Sequence, residues 1–292
     1  MINNFRNVLK LMRPQQYVKN LFIFFPLFFA GQITNIELLL KSFVAFVAFS
    51  LTASSIYILN DIKDVEEDRE HPKKKNRPIA AGLISEKTAS FLIVIFAILG
   101  ALLLYSQSLK ALGVLMVYFI LNIGYCYRLK HIPLIDITII AIGFVLRVFL
   151  GSQVTGIHIT HWIVLMTFLL ALFLAIAKRR DDVLHFIDTG KKMRKVIDGY
   201  NLQLVDGIMM IMASVVIVAY ILYTTSAEVS LRIQNDYLYL TTLFVILGIM
   251  RYLQISFVEK NSGSPTKVLL KDIFLQLVLL AWILAFTCII YF

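Results

Sequence analysis

A short acidic segment carries the residue types best suited to chemistry in this chain: Asn60, Asp61, Asp64 and Asp68. In a helix, spacings of three, four and seven residues place side chains on one side within about two turns. Like charges held this close repel one another, and a bound cation relieves the repulsion. Mg²⁺ takes one or two carboxylates and keeps its remaining positions for water and substrate phosphates. The spacing therefore predicts a magnesium site formed by all four residues, with the three aspartates as the catalytic group.

The same spacing also occurs where an acidic helix end is simply exposed to solvent, and here Lys63 and Arg69 would neutralise it. The residues that follow favour the metal site, because their side chains bind phosphate oxygens. These basic residues are Lys73, Lys74, Lys75 and Arg77. Carboxylates that suit a metal ion, followed by basic side chains that suit phosphate, predict a binding site for a diphosphate.

The composition places this site in a membrane protein. The chain has 292 residues, of which 59% are apolar and only 16% charged, with a mean hydropathy of +0.81. A soluble domain of this size does not require so much apolar surface. We therefore expect one integral membrane domain over residues 1–292, with charged cytoplasmic segments at about 60–85 and 178–204.

Several apolar segments are each near the roughly 20 residues that cross a bilayer as a helix. The predicted fold class is all-α, with nine transmembrane helices. Their predicted ranges are 18–34, 39–59, 86–106, 109–127, 133–151, 160–177, 205–225, 236–254 and 270–291.

The basic residues predict the orientation of these spans. Of the 28 Lys and Arg residues, only Lys41, Lys110 and Arg232 lie at one side of the membrane, and Arg147 falls within a span. The remainder lie on the other side, which identifies it as cytoplasmic. An N-terminus in the cytoplasm and an odd number of spans predict a C-terminus outside. The net charge of +10 is thereby explained without nucleic acid as a partner.

Two ionisable residues, Asp136 and Arg147, lie within predicted spans. Such residues usually face the interior of a helix bundle and mark a substrate path. Two alternatives remain open: Asp136 is close enough to the cytoplasmic end to be interfacial, and Arg147 would also be satisfied by helix carbonyls. The two long charged segments lie on the same membrane face, so we expect them to close over one site.

The segment from Asn60 to Gly82 resembles the first Asp-rich motif of the UbiA prenyltransferase superfamily, and looks most like its decaprenyl-phosphate phosphoribosyltransferase branch. Further segments of this chain resemble the same branch: 13–20, 127–130, 143–147, 177–179, 251–252 and 268–272. The resemblance implies a ring of nine helices around a cavity open to lipid, with Mg²⁺ and a diphosphate bound at the acidic motif. It also implies these substrate-binding residues: Lys19, Asn60, Lys73, Lys74, Lys75, Arg77, Tyr127, Lys130, Asp136, Arg147, Lys178 and Arg179.

The chain departs from the prenyl-transferring branches in its later cytoplasmic segment. Those branches carry a second Asp-x-x-x-Asp motif, whereas Asp181, Asp182 and Asp188 lack that spacing and follow Lys178 and Arg179. A segment richer in base than acid suits substrates with additional phosphates.

The function predicted is Mg²⁺-dependent transfer of a 5-phosphoribosyl group from phosphoribosyl diphosphate to a polyprenyl phosphate. The alternative is an intramembrane prenyltransferase that moves an isoprenoid chain from its diphosphate to an aromatic or other lipophilic acceptor. A divalent-cation transporter is disfavoured, because the spans contain few polar residues along their depth.

Overall fold

The computed structural model describes residues 2–70, 74–192, 194–233, 235–260 and 265–291. Within these ranges the regular structure is helical, with no β-strand. The α-helices are α1 (Ile2–Met12), α2 (Phe25–Phe29), α3 (Ile36–Lys63), α4 (Val65–Glu70), α5 (Glu86–Tyr105), α6 (Leu109–Tyr127), α7 (Ile135–Thr155), α8 (His161–Thr189), α9 (Leu202–Thr225), α10 (Ala227–Ile233), α11 (Thr242–Phe257), α12 (Pro265–Lys271) and α13 (Ile273–Tyr291). Shorter 3₁₀ helices cover Pro14–Phe24, Lys74–Asn76, Leu129–His131, Lys195–Gly199 and Asp236–Thr241.

Eight helices in the described ranges are long and apolar enough to cross a membrane: α3, α5, α6, α7, α8, α9, the continuous stretch Asp236–Phe257, and α13. The prediction of an all-α, polytopic membrane protein is therefore confirmed. The count of nine spans is not confirmed. The first predicted span, 18–34, is divided between a 3₁₀ helix (Pro14–Phe24) and the five-residue α2. Pro26 lies in the first turn of α2, where its missing N–H costs no helical hydrogen bond, so it suits the start of a new helix.

Side-chain caps fix where several spans begin. A side-chain oxygen of the residue before the helix accepts a backbone N–H of the first turn, which satisfies a donor that the helix leaves unpaired. This cap precedes α3, α5, α6 and α9, at Asn35, Ser85, Ser108 and Asn201.

The described chain forms two compact units. The first contains Met1–Lys130 and Ile142–Ile159, and the second contains His131–Ala141 and Thr160–Phe292. Helix α7 contributes residues to both units. The expectation of a single domain over the whole chain stays a prediction.

Helix α3 is central to the first unit, where it packs against α1, α5, α6 and the Pro14–Phe24 helix. Small side chains allow this close packing, which is typical of helices in membranes. At Gly100 of α5, an added Cβ would lie 2.3 Å from Thr52 Oγ1 and 2.7 Å from the Ala48 carbonyl oxygen. Helix α5 thus packs tightly against the middle of α3, the helix that leads into the acidic segment.

The second unit has its own core, built from α8, α9, α11, α12 and α13. Helix α8 extends to Thr189, twelve residues beyond the predicted end of the span at 177. The predicted cytoplasmic segment therefore begins as helix. Ion pairs stabilise this extension: Arg179 binds Asp182 on the next turn at 2.7 Å, and Arg180 binds Asp206 of α9 at 2.6 Å.

Candidate active site

The acidic segment lies where α3 ends. Helix α3 stops at Lys63, Asp64 caps it, and α4 begins at Val65, so the predicted single helix is interrupted. The Asp64 N–H still donates to the Asn60 carbonyl at 2.9 Å, and the Asp68 N–H donates to the Asp64 carbonyl at 2.8 Å. These bonds keep the helical spacing of the side chains across the interruption.

Asp61 and Asp68 are seven residues apart, about 20° short of two full helical turns, and they share one cation. Arg77 Nη1 donates to Asp61 Oδ1 at 3.0 Å and to Asp68 Oδ2 at 2.5 Å. Arg13 Nη2 also binds Asp61, and Lys74 Nζ lies 3.7 Å from Asp68 Oδ1. The side chains of Asp61 and Asp68 are 2% and 1% exposed. This burial argues against the alternative of a solvated acidic helix end.

Asn60 and Asp64 form a second pair. Asn60 Nδ2 donates to Asp64 Oδ2 at 2.8 Å. Lys130 Nζ donates to Asp64 Oδ1 at 2.5 Å and to Asn60 Oδ1 at 3.3 Å. The four predicted residues thus form two groups. Arg77, Arg13 and Lys74 bind the first group, and Lys130 binds the second.

The oxygen atoms of these groups fit a hard divalent cation, although basic side chains hold the convergent positions. Across the described ranges, no three His, Cys, Asp or Glu side chains form a group that could hold a metal ion. Asp61 and Asp68 nevertheless converge on a single atom of Arg77. Asp68 Oδ1 is buried and has no hydrogen-bond partner among the described residues. Two convergent carboxylates with a spare oxygen suit Mg²⁺, which requires few protein ligands.

Arg13 is a member of this site that was not predicted. The sequence analysis counted Arg13 toward membrane orientation and within a segment that resembles the family, but not as a site residue. Its backbone has φ 55°, a left-handed conformation that costs about 1–2 kcal/mol for a residue with a Cβ. The contact with Asp61 offsets this cost. Burial lowers the pKa of Arg13, while the nearby Asp61 carboxylate acts to raise it. The sequence signal was an arginine directly before a proline, at a helix end inside a segment that resembles the family.

Arg147 is buried in the first unit. Its Nε donates to Asn20 Oδ1 at 2.8 Å, and its Nη1 donates to the Gly143 carbonyl at 2.6 Å. The proposed contact with a helix carbonyl is therefore present. Asn20, which was not predicted as a site residue, accepts the second hydrogen bond from Arg147. Lys19 lies beside Asn20 and is half-buried.

In the second unit, Asp136 and Arg179 bind each other. Arg179 Nε donates to Asp136 Oδ2 at 2.5 Å, and the Tyr200 hydroxyl donates to Asp136 Oδ1 at 2.7 Å. Asp136 is fully buried, so its carboxylate is not exposed to solvent at the start of α7. Tyr200 and Asp182, the second partner of Arg179, were not predicted.

The remaining predicted substrate-binding residues have fewer described contacts. Lys75 is exposed, and Lys178 is half-buried on α8. The ring of Tyr127 is 58% exposed, and Lys63 Nζ lies 4.2 Å from its centre. Lys73 lies outside the described residues.

Known proteins resemble this chain in sequence. A protein from Corynebacterium glutamicum named decaprenyl-phosphate phosphoribosyltransferase is 32% identical to this chain, over 97% of this chain and 86% of the relative. Its namesake from Mycolicibacterium smegmatis is 33% identical, over 98% of this chain and 92% of the relative.

Solved structures share the fold. A UbiA homolog from Archaeoglobus fulgidus bound to GPP and Mg²⁺ superimposes with a TM-score of 0.71 at 18% identity, covering 98% of this chain and all of the other. The apo UbiA homolog from Aeropyrum pernix K1 gives a TM-score of 0.62 at 15% identity, covering 96% and 97%.

The model of the UbiA prenyltransferase family matches residues 20–278. This range contains the acidic segment, its basic partners Arg77 and Lys130, and the buried Arg147. The relatives above match at 32% and 33% identity over nearly the whole chain. The chain therefore belongs to the UbiA prenyltransferase family and is an integral membrane transferase of the UbiA type.

Proposed function

We propose that this enzyme transfers a 5-phosphoribosyl group from phosphoribosyl diphosphate to a polyprenyl phosphate and releases diphosphate. The observation that carries the proposal is the buried Asp61–Asp68 pair, held at hydrogen-bond distance by Arg77. It combines oxygen ligands for a cation with basic side chains for phosphate. The names of the relatives from C. glutamicum and M. smegmatis support this choice of substrates.

The three aspartates, together with Asn60, would hold Mg²⁺. When bound, Mg²⁺ supplies positive charge that neutralises the departing diphosphate. Arg77 and Lys130, displaced from the carboxylates, would then donate charge-assisted hydrogen bonds to phosphate oxygens. Arg13 and Lys74 lie beside the same carboxylates and would add to this binding.

The reaction requires no side-chain nucleophile or general base. A phosphate monoester is already ionised at neutral pH, since its second pKa is about 6. One of its oxygens forms a bond to the anomeric carbon of the ribose as the bond from that carbon to the diphosphate breaks. The diphosphate leaves with the electron pair. Orientation of the two substrates and electrostatic stabilisation of the leaving group therefore supply the catalysis.

Candidates for the 5-phosphate of the donor are the basic residues that follow the acidic segment: Lys73, Lys74, Lys75 and Arg77. Tyr127, Lys178, Arg179 and Asp136 remain candidate substrate-binding residues on the strength of the family resemblance. The pairing of Arg179 with Asp136 favours a positioning role for those two residues.

A second candidate is prenyl transfer from an isoprenoid diphosphate to a lipophilic acceptor. The A. fulgidus homolog was solved with GPP and Mg²⁺, and the acidic residues of this chain would serve either diphosphate donor.

A donor comparison tests the proposal. Purified enzyme in lipid nanodiscs is given Mg²⁺, polyprenyl phosphate and phosphoribosyl diphosphate labelled in the ribose. We expect label in the organic extract and one diphosphate released per label transferred. No lipid label, with turnover of a prenyl diphosphate on a lipophilic acceptor, would instead establish the second candidate.

A further inference from the structure

Arg147 differs from the other buried arginines of the described chain in having no carboxylate partner. Three arginine side chains there are buried, and Arg179 and Arg180 each bind an aspartate. Arg147 binds only the amide oxygen of Asn20 and the carbonyl of Gly143, which are neutral. A buried charge without a counter-charge costs several kcal/mol. Its position therefore requires an anion that the described part of the chain does not supply.

Three aromatic rings surround this guanidinium. Its Cζ atom lies 4.6 Å from the ring centre of Phe49, 5.2 Å from that of Phe144 and 5.3 Å from that of Tyr118. Cation–π attraction offsets part of the desolvation cost. The rings do not neutralise the charge, so the guanidinium still lacks an anionic partner among the described residues.

Lys19 brings a second positive charge to the same place. The charges of Arg147 and Arg13 both act on its ammonium group, so it lies within electrostatic reach of each. Because Arg13 contacts Asp61, Lys19 is within electrostatic reach of both Arg147 and a cation of the acidic site. No ion pair joins Lys19 or Arg147 to an acidic side chain within the described residues.

Helix packing fixes the position of these two cations. Asn20 accepts a hydrogen bond from Arg147 on α7 and donates one to Ser50 Oγ on α3 at 2.8 Å. At Gly151, one turn beyond Arg147, an added Cβ would lie 2.0 Å from the Ile23 carbonyl oxygen. The Pro14–Phe24 helix therefore lies directly on α7, and Lys19 is held close to Arg147.

Arg147 and its three aromatic neighbours lie on helices that are long and apolar enough to cross a membrane. Phe49, which stacks on Arg147, is 12 residues from Asp61 along α3, or roughly 18 Å at 1.5 Å per residue. An anion that reaches this depth is best carried by a lipid. A phosphate beside Arg147 would also be bound by Lys19.

We propose that Lys19 and Arg147, positioned by Asn20, form a subsite for the phosphate monoester head group of the lipid acceptor. This inference rests on the proposed function for the identity of the acceptor. The subsite itself requires only that a lipid phosphate monoester binds. Lys19 and Arg147 hold the head group, while the donor's diphosphate binds at the acidic residues.

Steady-state kinetics test which substrate these residues bind. Lys19→Met and Arg147→Met should each raise the KM for polyprenyl phosphate at least tenfold and leave the KM for phosphoribosyl diphosphate within twofold. Lys19→Arg, which keeps the charge, should restore the acceptor KM. Lys110→Met is the matched control, because Lys110 is exposed at the start of α6, and both KM values should be unchanged. A selective rise in the donor KM would overturn the proposal and assign the subsite to the donor's 5-phosphate.

Binding without turnover separates this inference from the proposed function. Farnesyl phosphate alone, without donor, should raise the melting temperature of the wild-type enzyme but not of Lys19→Met, and uncharged farnesol should raise neither. If wild type shows this protection but transfers no phosphoribosyl group, the subsite stands and the proposed function fails. If transfer occurs but farnesyl phosphate protects both proteins equally or neither, the subsite is wrong. A lowered melting temperature in Lys19→Met with both KM values unchanged would mean a structural lysine and also overturn it.

Discussion

At the residue scale, Asp61 and Asp68 depend on Arg77, since its Nη1 atom lies within 3.0 Å of both carboxylates. Two buried like charges repel strongly unless a cation stands between them. In the described chain that cation is a guanidinium. Replacing it by a divalent ion would free Arg77 for a substrate phosphate, so the site can exchange an internal ion pair for a metal and its ligand.

Replacing Asp68 by asparagine tests this arrangement. The amide keeps the shape of the side chain but removes the charge that a metal requires. We expect Asp68→Asn to lower phosphoribosyl transfer at least 100-fold, roughly 2.7 kcal/mol at 1.36 kcal/mol per tenfold, while the protein remains inserted and monodisperse. Labelled transfer and size-exclusion chromatography measure the two effects.

Glu66→Gln provides the matched control for that variant. Glu66 is an exposed carboxylate on α4, two residues from Asp68, and its loss should leave transfer unchanged. An Asp68→Asn enzyme with most of its activity would remove Asp68 from the metal site.

The acidic residues could be predicted from the sequence because all four lie within one short segment. The pairing of these aspartates with Arg13 and Lys130 could not, because Arg13 and Lys130 are 48 and 66 residues away from the aspartates that they contact. Such contacts depend on how the helices pack. Arg147 was predicted from its position in an apolar segment, whereas its neighbour Asn20 carries no such signal.

At the scale of elements, the packing of α5 against α3 determines where the acidic segment lies. Gly100→Ala would place a methyl group 2.3 Å from Thr52 Oγ1 and 2.7 Å from a backbone carbonyl, so the helices would have to separate. Overpacking of this kind costs about 1–3 kcal/mol. We expect a lower melting temperature in a thermal-unfolding assay of the purified enzyme.

Gly113→Ala is the control for this substitution, because nothing lies within 4 Å of an added Cβ at Gly113 on α6. It should leave the melting temperature unchanged or raise it slightly, since alanine favours helix over glycine. Equal destabilisation by both substitutions would contradict the tight α3–α5 contact.

Most span positions could be predicted from apolar length alone, and eight of them correspond to helices. The helical structure of the first predicted span, 18–34, could not be predicted in this way, because hydropathy does not distinguish one long helix from two short ones. Proline at Pro14 and Pro26 was the available signal. The extension of α8 to Thr189 was also missed, since its charged residues suggested a loop until their ion pairs were visible.

At the scale of the whole molecule, the basic connections predict the orientation. If the acidic end of α3 is cytoplasmic, α3 begins outside, and eight spans from there return the C-terminus to the outside. A cytoplasmic N-terminus then requires the chain between α1 and α3 to cross the membrane. Laid end to end, the Pro14–Phe24 helix and α2 extend about 30 Å, the thickness of the hydrocarbon core.

Reporter fusions test this orientation. A fluorescent protein that folds only in the cytoplasm should be active at the N-terminus and inactive at the C-terminus. Alkaline phosphatase, which is active only outside, should give the reverse pattern. Both termini on the same side would mean that the segment between α1 and α3 does not cross.

The central claim is that the acidic residues of α3 and α4 bind a divalent cation that phosphoribosyl transfer to a lipid phosphate requires. The most direct measurement is the transfer of ribose label to polyprenyl phosphate by purified enzyme after chelation and after Mg²⁺ is restored. We predict that chelation stops transfer, that Mg²⁺ restores it in wild type, and that Mg²⁺ does not restore it in Asp68→Asn. Transfer that continues in the chelated enzyme would contradict the account.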